Sequence, residues 1–166
     1  MDYEQKLLKA KTFADIFDIV KSIISDFLGV DQAGLLVGLS DLGSYSNSFV
    51  GAFYSLNANT IIINKRPLSK IKQTSPELYN PYLFHVILHE YIHSLGVYDE
   101  LQVRQLVLEL SKHFFGETHI ATEIASNLEK FLPNLVYPSG EFESSVQDMG
   151  IEFLPGIDRK NTNYIN

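Results

Sequence analysis

Between Thr12 and Gly29 the apolar residues Phe13, Ile16, Phe17, Val20, Ile23, Ile24 and Phe27 recur at helical spacing. That stripe predicts an amphipathic helix over residues 13–28, stopped by Gly29. The segment before it, "MDYEQKLLKAK", is charged and helical in character. "AGLLVGLSD" (33–41) reads as a short apolar strand, and "SNSFVGAFYSLNANTIIIN" (46–64) as two strands joined at Asn57–Asn59. The β-branched run Ile61–Ile63 favours the second of these strands.

"KRPLSKIKQTSPELYN" (65–80) reads as a loop with at most one helical turn, because Pro67 and Pro76 punctuate it. Asn80 then suits an N-cap with Pro81 at the first helical position. The helix this starts runs to Gly96 and has few polar positions, so it is expected to be central in the fold. Further helices are expected at about 100–115 and 119–132, ended by Gly116 and Pro133. The last thirty or so residues look irregular. The order of elements predicts an α+β domain, a small mixed sheet packed by helices, over residues 1–155. A mobile or lightly docked tail is expected at 156–166.

At 166 residues the chain suits one domain with a full hydrophobic core. Thirteen basic against twenty acidic residues give a net charge of −7. That balance argues against nucleic acid as the main partner, since phosphate binding needs a positive field. Without cysteine there are no disulfides and no thiolate metal sites. Neither a signal-peptide core nor a membrane-length apolar run occurs, so the expected location is cytoplasmic.

The chemistry concentrates in "HEYIHSLGVYDE" (89–100). His89 and His93 lie four apart, so a helix projects both imidazoles from one face, close enough to share one zinc ion. Glu90 points about 100° round the helix and cannot easily ligate the same ion, but it can reach a water on it as general base. Three ionisable groups in so apolar a segment carry a desolvation cost that a metal would offset. Zinc needs a third protein ligand. Gly96 can turn the chain sharply and bring Asp99 back toward the histidines. Asp99 is equally a good N-cap for the next helix, with Gln102 as its capping-box partner.

"HEYIHSLGVYD" resembles the zincin metallopeptidase pattern HExxHxxGxxH/D, and its aspartate version is similar to snapalysins and minimal zincins. "GAFYSLNANTIIIN" likewise resembles the strand pair forming the upper rim of a zincin cleft. The resemblance implies a zincin-like domain with a central active-site helix. It also implies a zinc peptidase with His89, His93 and Asp99 as ligands, Glu90 as base, and a peptide or protein substrate. A metzincin would add a methionine turn, for which Met149 is the only internal candidate.

Other assignments stay open. Glu109, Glu117 or Glu123 would be the third ligand in a thermolysin-like arrangement, and His119 could return to the site, although each suits a solvated or capping role better. His85 lies about 12 Å from His93 along the axis, too far to share the ion. Lys65, Arg66, Lys70 and Lys72 read as a solvated face. Tyr98 is near enough in sequence to touch a substrate. The alternative to a peptidase is an inactive zincin-like module that binds metal, protein or nucleic acid. Oligomeric state is not legible.

Overall fold

The computed structural model describes residues 2–43, 48–136 and 150–157. Two helices open the chain, α1 (Tyr3–Lys9) and α2 (Phe13–Leu28). Thr12 and Asp15 close α2 with a reciprocal capping box, and Gly29 leaves it in the left-handed conformation at φ 68°. Four strands follow: β1 (Leu36–Ser40), β2 (Phe49–Val50), β3 (Ala52–Ser55) and β4 (Thr60–Asn64). Five helices come next: α3 (Lys65–Thr74), α4 (Tyr79–Ser94), α5 (Glu100–Phe115), α6 (Ile120–Ser126) and α7 (Leu128–Phe131). The short strands β5 (Leu135–Val136) and β6 (Glu152–Phe153) complete the described chain.

The main sheet has the order β3-β4-β1-β6 and is mixed: β4 runs parallel to β1, while β3 and β6 are antiparallel to their neighbours. β2 and β5 form a separate parallel pair. Every residue of β4 is buried, because the sheet is covered on both faces. Ile61 and Ile63 join the large core built with α2 and α4, and Ile62 packs with Phe53, Leu42 and Ile151 on the other face. The result is the expected α+β domain, a small mixed sheet packed by helices.

Three local expectations change. Residues 65–74 form a full helix, not a loop. Asn64 caps it, and Pro67 falls in the first turn, where its missing N–H would have no intrahelical partner. α4 begins at Tyr79, after a 3-10 turn at Pro76–Leu78, and so starts ahead of Asn80. The Asn80 amide instead donates to the carbonyls of Leu7 and Ala10, tying the amino-terminal turn to α4. The helix expected at 119–132 is broken at Asn127 into α6 and α7. No helix among the described residues is long and apolar enough to cross a membrane. Tyr137, Met149, the candidate for a methionine turn, and most of the tail lie outside the described residues.

Candidate metal centre

α4 is the spine of the molecule. Every residue from Pro81 to Ile92 is buried, so its polar side chains are held by packing on all sides. His89 is fully buried and its ring centroid lies 5.0 Å from that of His93, one turn along. Gly96, at φ 100°, turns the chain out of the helix, as its position in the sequence predicts. The turn carries the Val97 carbonyl back to His93, whose Nδ1 lies 2.8 Å from it.

Asp99 and Glu100 then part company. The Asp99 carboxylate accepts the Gln102 backbone N–H at 3.0 Å and caps α5. It is therefore turned toward the start of its own helix, not toward the histidines. Glu100 takes the place expected for it. Its Oε2 lies 3.0 Å from His89 Nε2 and its Oε1 lies 2.7 Å from His93 Nε2. Ligand atoms of these three residues lie within 4.8 Å of one another. The capping propensity of Asp99 was visible in the sequence; once its carboxylate is committed to the backbone, the next acid becomes the one that faces α4.

The other candidates go elsewhere. His119 caps α6, its Nδ1 accepting the Ala121 N–H at 3.0 Å, and its ring lies against Phe115. Glu109, Glu117 and Glu123 are exposed. His113 packs at the surface against Phe27. Lys65, Arg66, Lys70 and Lys72 occupy the solvent side of α3, where Arg66 pairs with Asp41 at 2.6 Å.

The hydrogen bonding tests whether a cation suits the cluster. A carbonyl oxygen can only accept, so His93 Nδ1 must donate to Val97, and in the neutral ring Nε2 then carries a lone pair. That lone pair faces a carboxylate oxygen at 2.7 Å, and two acceptors at that distance need a proton or a metal ion between them. Burial, the largest influence on His89, pushes its proton affinity down and favours the neutral imidazole. Burial acts on Glu100 in the opposite sense, raising its carboxyl. The hydrogen bonds with His89 and His93 act against that, and its carboxyl is brought down to about 2. Neutral imidazole and ionised carboxylate are the forms that bind metal. Donors around a tetrahedral zinc ion sit roughly 3.3 Å apart given bonds of about 2.0–2.2 Å, so the two contacts of Glu100, at 3.0 and 2.7 Å, need a small outward shift. The Glu100 side chain, 43% exposed, is free to make it, and also marks the open side of the site.

Glu90 stands beside this cluster without joining it. It is buried, its carboxyl accepts the Tyr54 backbone N–H from β3, and Oε2 has no hydrogen-bond partner among the described residues. Burial first, and the nearby Glu100 charge second, raise its carboxyl well above the usual range. His85, one turn before His89, has its ring centroid 6.4 Å from that of His89, and burial pushes its imidazole down to about 3. It is a neutral neighbour of the cluster, not a member. Comparison of the chain with known families, with curated proteins and with solved structures finds no match to any of them.

Proposed function

We propose that this protein is a zinc-dependent peptidase in which His89, His93 and Glu100 hold the ion and Glu90 handles the proton. The observation that carries the reading is the His93 ring. Its Nδ1 is committed to Val97, so its Nε2 lone pair is aimed at Glu100 beside the buried carboxyl of Glu90. Two imidazoles and a carboxylate are a donor set that suits zinc. Bound there, zinc would polarise a peptide carbonyl and lower the pKa of water.

The chain's own residues supply the rest. Glu90 Oε2, with no hydrogen-bond partner among the described residues, is the atom to accept a proton from attacking water and return it to the leaving amide nitrogen. A raised proton affinity suits the first half of that task, because a more basic carboxylate is the better acceptor of a proton from water. β3 is an edge of the sheet among the described residues and contacts Glu90 through Tyr54, so an extended peptide would lie beside it by strand addition. Tyr98 and Leu101 flank the cluster in sequence, and both are largely exposed, an apolar rim for substrate side chains. This is the zincin-like arrangement that the HExxH segment resembles, with Glu100 in place of Asp99.

One observation favours a second reading. The Tyr54 N–H on Glu90 also ties α4 to β3, as a structural glutamate would, and a metal-binding module without catalysis would need nothing more. Zinc content and hydrolysis of a peptide library by the wild type and Glu90→Gln decide between them. The peptidase reading expects one zinc per chain in both proteins and a loss of rate of about 10²–10⁴-fold in the variant. Zinc without hydrolysis in the wild type selects the module. A wild type that takes up no zinc sinks both.

A further inference from the structure

α4 and α5 are joined by a tight turn and run back alongside each other in register. His89 meets Glu100 at 3.0 Å, and one turn farther along each helix His85 and Arg104 line a common cleft. The cleft has a volume of about 300 Å³, and the α6–α7 junction closes its far side with Asn127 and Glu129. Gln105 also opens into it. Within a chain of net charge −7, Arg104 is the only cation among the lining residues.

We propose that Arg104, with the side-chain amides of Gln105 and Asn127, forms a carboxylate-binding subsite one helical turn from the metal cluster, which reads a carboxylate on the substrate. The proposal rests on the peptidase reading for its substrate but not for its binding chemistry. One turn is about 5.4 Å along the helix axis, and an extended peptide advances roughly 3.3–3.6 Å per residue. The carboxylate read here therefore belongs one or two residues from the bond that is broken. Two sources share that chemistry: the free carboxyl terminus of a short peptide and an Asp or Glu side chain.

The guanidinium fits the role because its planar fork pairs with a carboxylate through two hydrogen bonds. Arg104 stands one turn beyond Glu100 on α5 and lines the cleft together with His85, which stands one turn before His89 on α4. His85 is buried and lines the same cleft. Glu129 on the opposite wall works against an anion and limits how tightly one is held.

Binding and turnover test this separately. The probes are blocked dipeptides identical except for a free carboxylate or its amide at the carboxyl end, titrated by calorimetry into the zinc-supplemented full chain. A second pair carries Glu or Gln as the residue after the cleavable bond. Wild type is expected to prefer the acid of at least one pair by about tenfold, the scale of a charge-assisted contact. Whichever pair shows the preference identifies the source. Arg104→Ala should abolish the preference, Arg104→Lys should keep part of it, and Glu129→Gln should increase it. Arg104 is exposed, so these variants are expected to fold, which circular dichroism checks. Equal binding of acid and amide by wild type, or a preference untouched in Arg104→Ala, overturns the subsite. An Arg104-dependent preference without hydrolysis leaves the subsite standing and removes the peptidase reading. Hydrolysis without the preference does the reverse.

Discussion

α4 and α5 are both sixteen residues long, yet they contribute to the cluster in opposite ways. α4 is buried continuously from Pro81 to Ile92 and places His85, His89 and Glu90 where packing leaves them no alternative position. α5 buries only Val103, Val107, Leu110, Ser111 and Phe115, and its contribution to the cluster, Glu100, is nearly half exposed. One helix fixes the imidazoles and the Glu90 carboxyl; the other offers a carboxylate that can adjust. A preorganised half and an adjustable half suit an ion that must be admitted from solvent before it is held.

The largest effect should come from removing the adjustable half. Zinc that binds the folded chain alone stabilises it by roughly 4 kcal/mol at a thousand times its Kd, or about 8–16 °C in Tm for a chain of this size. Chelator should reverse the shift. Glu100→Gln removes the anionic ligand while sparing the packing of α4. Its zinc affinity should fall by well over the roughly 10–100-fold typical of a lost outer-shell partner. Its metal-free Tm should fall modestly, because the depressed, half-exposed carboxyl of Glu100 favours the folded state above pH 4.5, so the zinc shift is read against the variant's own metal-free scan. Thermal scans with and without zinc measure both. A variant that keeps the full zinc shift would remove Glu100 from the ligand set.

The rigid half should reveal itself in acid. His85 is held neutral, its folded pKa pushed down to about 3 against an ordinary value near 6.5. Between those values the unfolded chain binds a proton that the folded chain refuses, so the contribution of His85 is complete above pH 6.5. It is lost as pH falls toward 3, by an amount of order a few kcal/mol. Glu90 on the same helix acts in the reverse sense, its raised carboxyl favouring the folded state below pH 4.5 and losing that advantage as pH rises. His85→Leu removes the first effect alone. Its stability relative to wild type, followed by denaturant titration of the metal-free chain, should rise steadily from pH 6.5 to pH 4. A flat difference over that range would mean that the folded protein already accommodates the imidazolium.

Packing beneath α4 gives a third and smaller effect. A Cβ on Gly51 would lie 2.8 Å from Leu135 Cδ1, 2.9 Å from the Tyr82 hydroxyl and 3.3 Å from Val86 Cγ1. Tyr82 and Val86 are both buried on α4, and neither can withdraw without moving the helix. Gly51→Ala should therefore cost about 1–3 kcal/mol, read as a lower denaturation midpoint with an unchanged slope. If it proves neutral, α4 is less tightly seated than its burial implies.

How much of this was legible in the sequence follows the same division. α2, α4 and α5 declared themselves through apolar period and end signals, and Gly29, Gly96 and Gly116 fall just past the regular turns of those helices. The histidine pair and Glu90 were legible because four residues of helix have only one geometry. The rest depended on choices that a linear pattern leaves open. Pro67 looks the same in a loop and in a first helical turn. Asn80 can cap its own helix or, as here, bind the carbonyls of Leu7 and Ala10 about seventy residues away. β5 and β6 are two-residue strands with no period to detect, and their pairing is decided by what lies beside them. The third member of the cluster was the finest case, since Asp99 and Glu100 are neighbours with the same charge and only the cap decides which one faces inward.

That choice is also the subject of the smallest expected effect. Asp99 acts on the Gln102 amide, so Asp99→Ala should destabilise the chain by about 1 kcal/mol, the usual cost of a lost N-cap. Asp99→Asn should be nearly neutral, because asparagine caps as well as aspartate does. Neither variant should alter zinc stoichiometry, while Glu100→Gln at the very next position should. A one-residue displacement thus separates a stability phenotype from a metal phenotype, and competitive zinc titration against a chromophoric chelator can measure both acids under the same conditions. The opposite pattern, zinc lost with Asp99→Asn and kept with Glu100→Gln, would mean that the start of α5 rearranges when the ion enters and that Asp99 leaves its cap to ligate. The energetics allow that exchange only if the metal bond offsets a cap worth about 1 kcal/mol and releases Glu100 from both imidazoles. Because Glu100 already meets both rings while Asp99 serves the backbone, the expected outcome is that the cap stays and the neighbour binds.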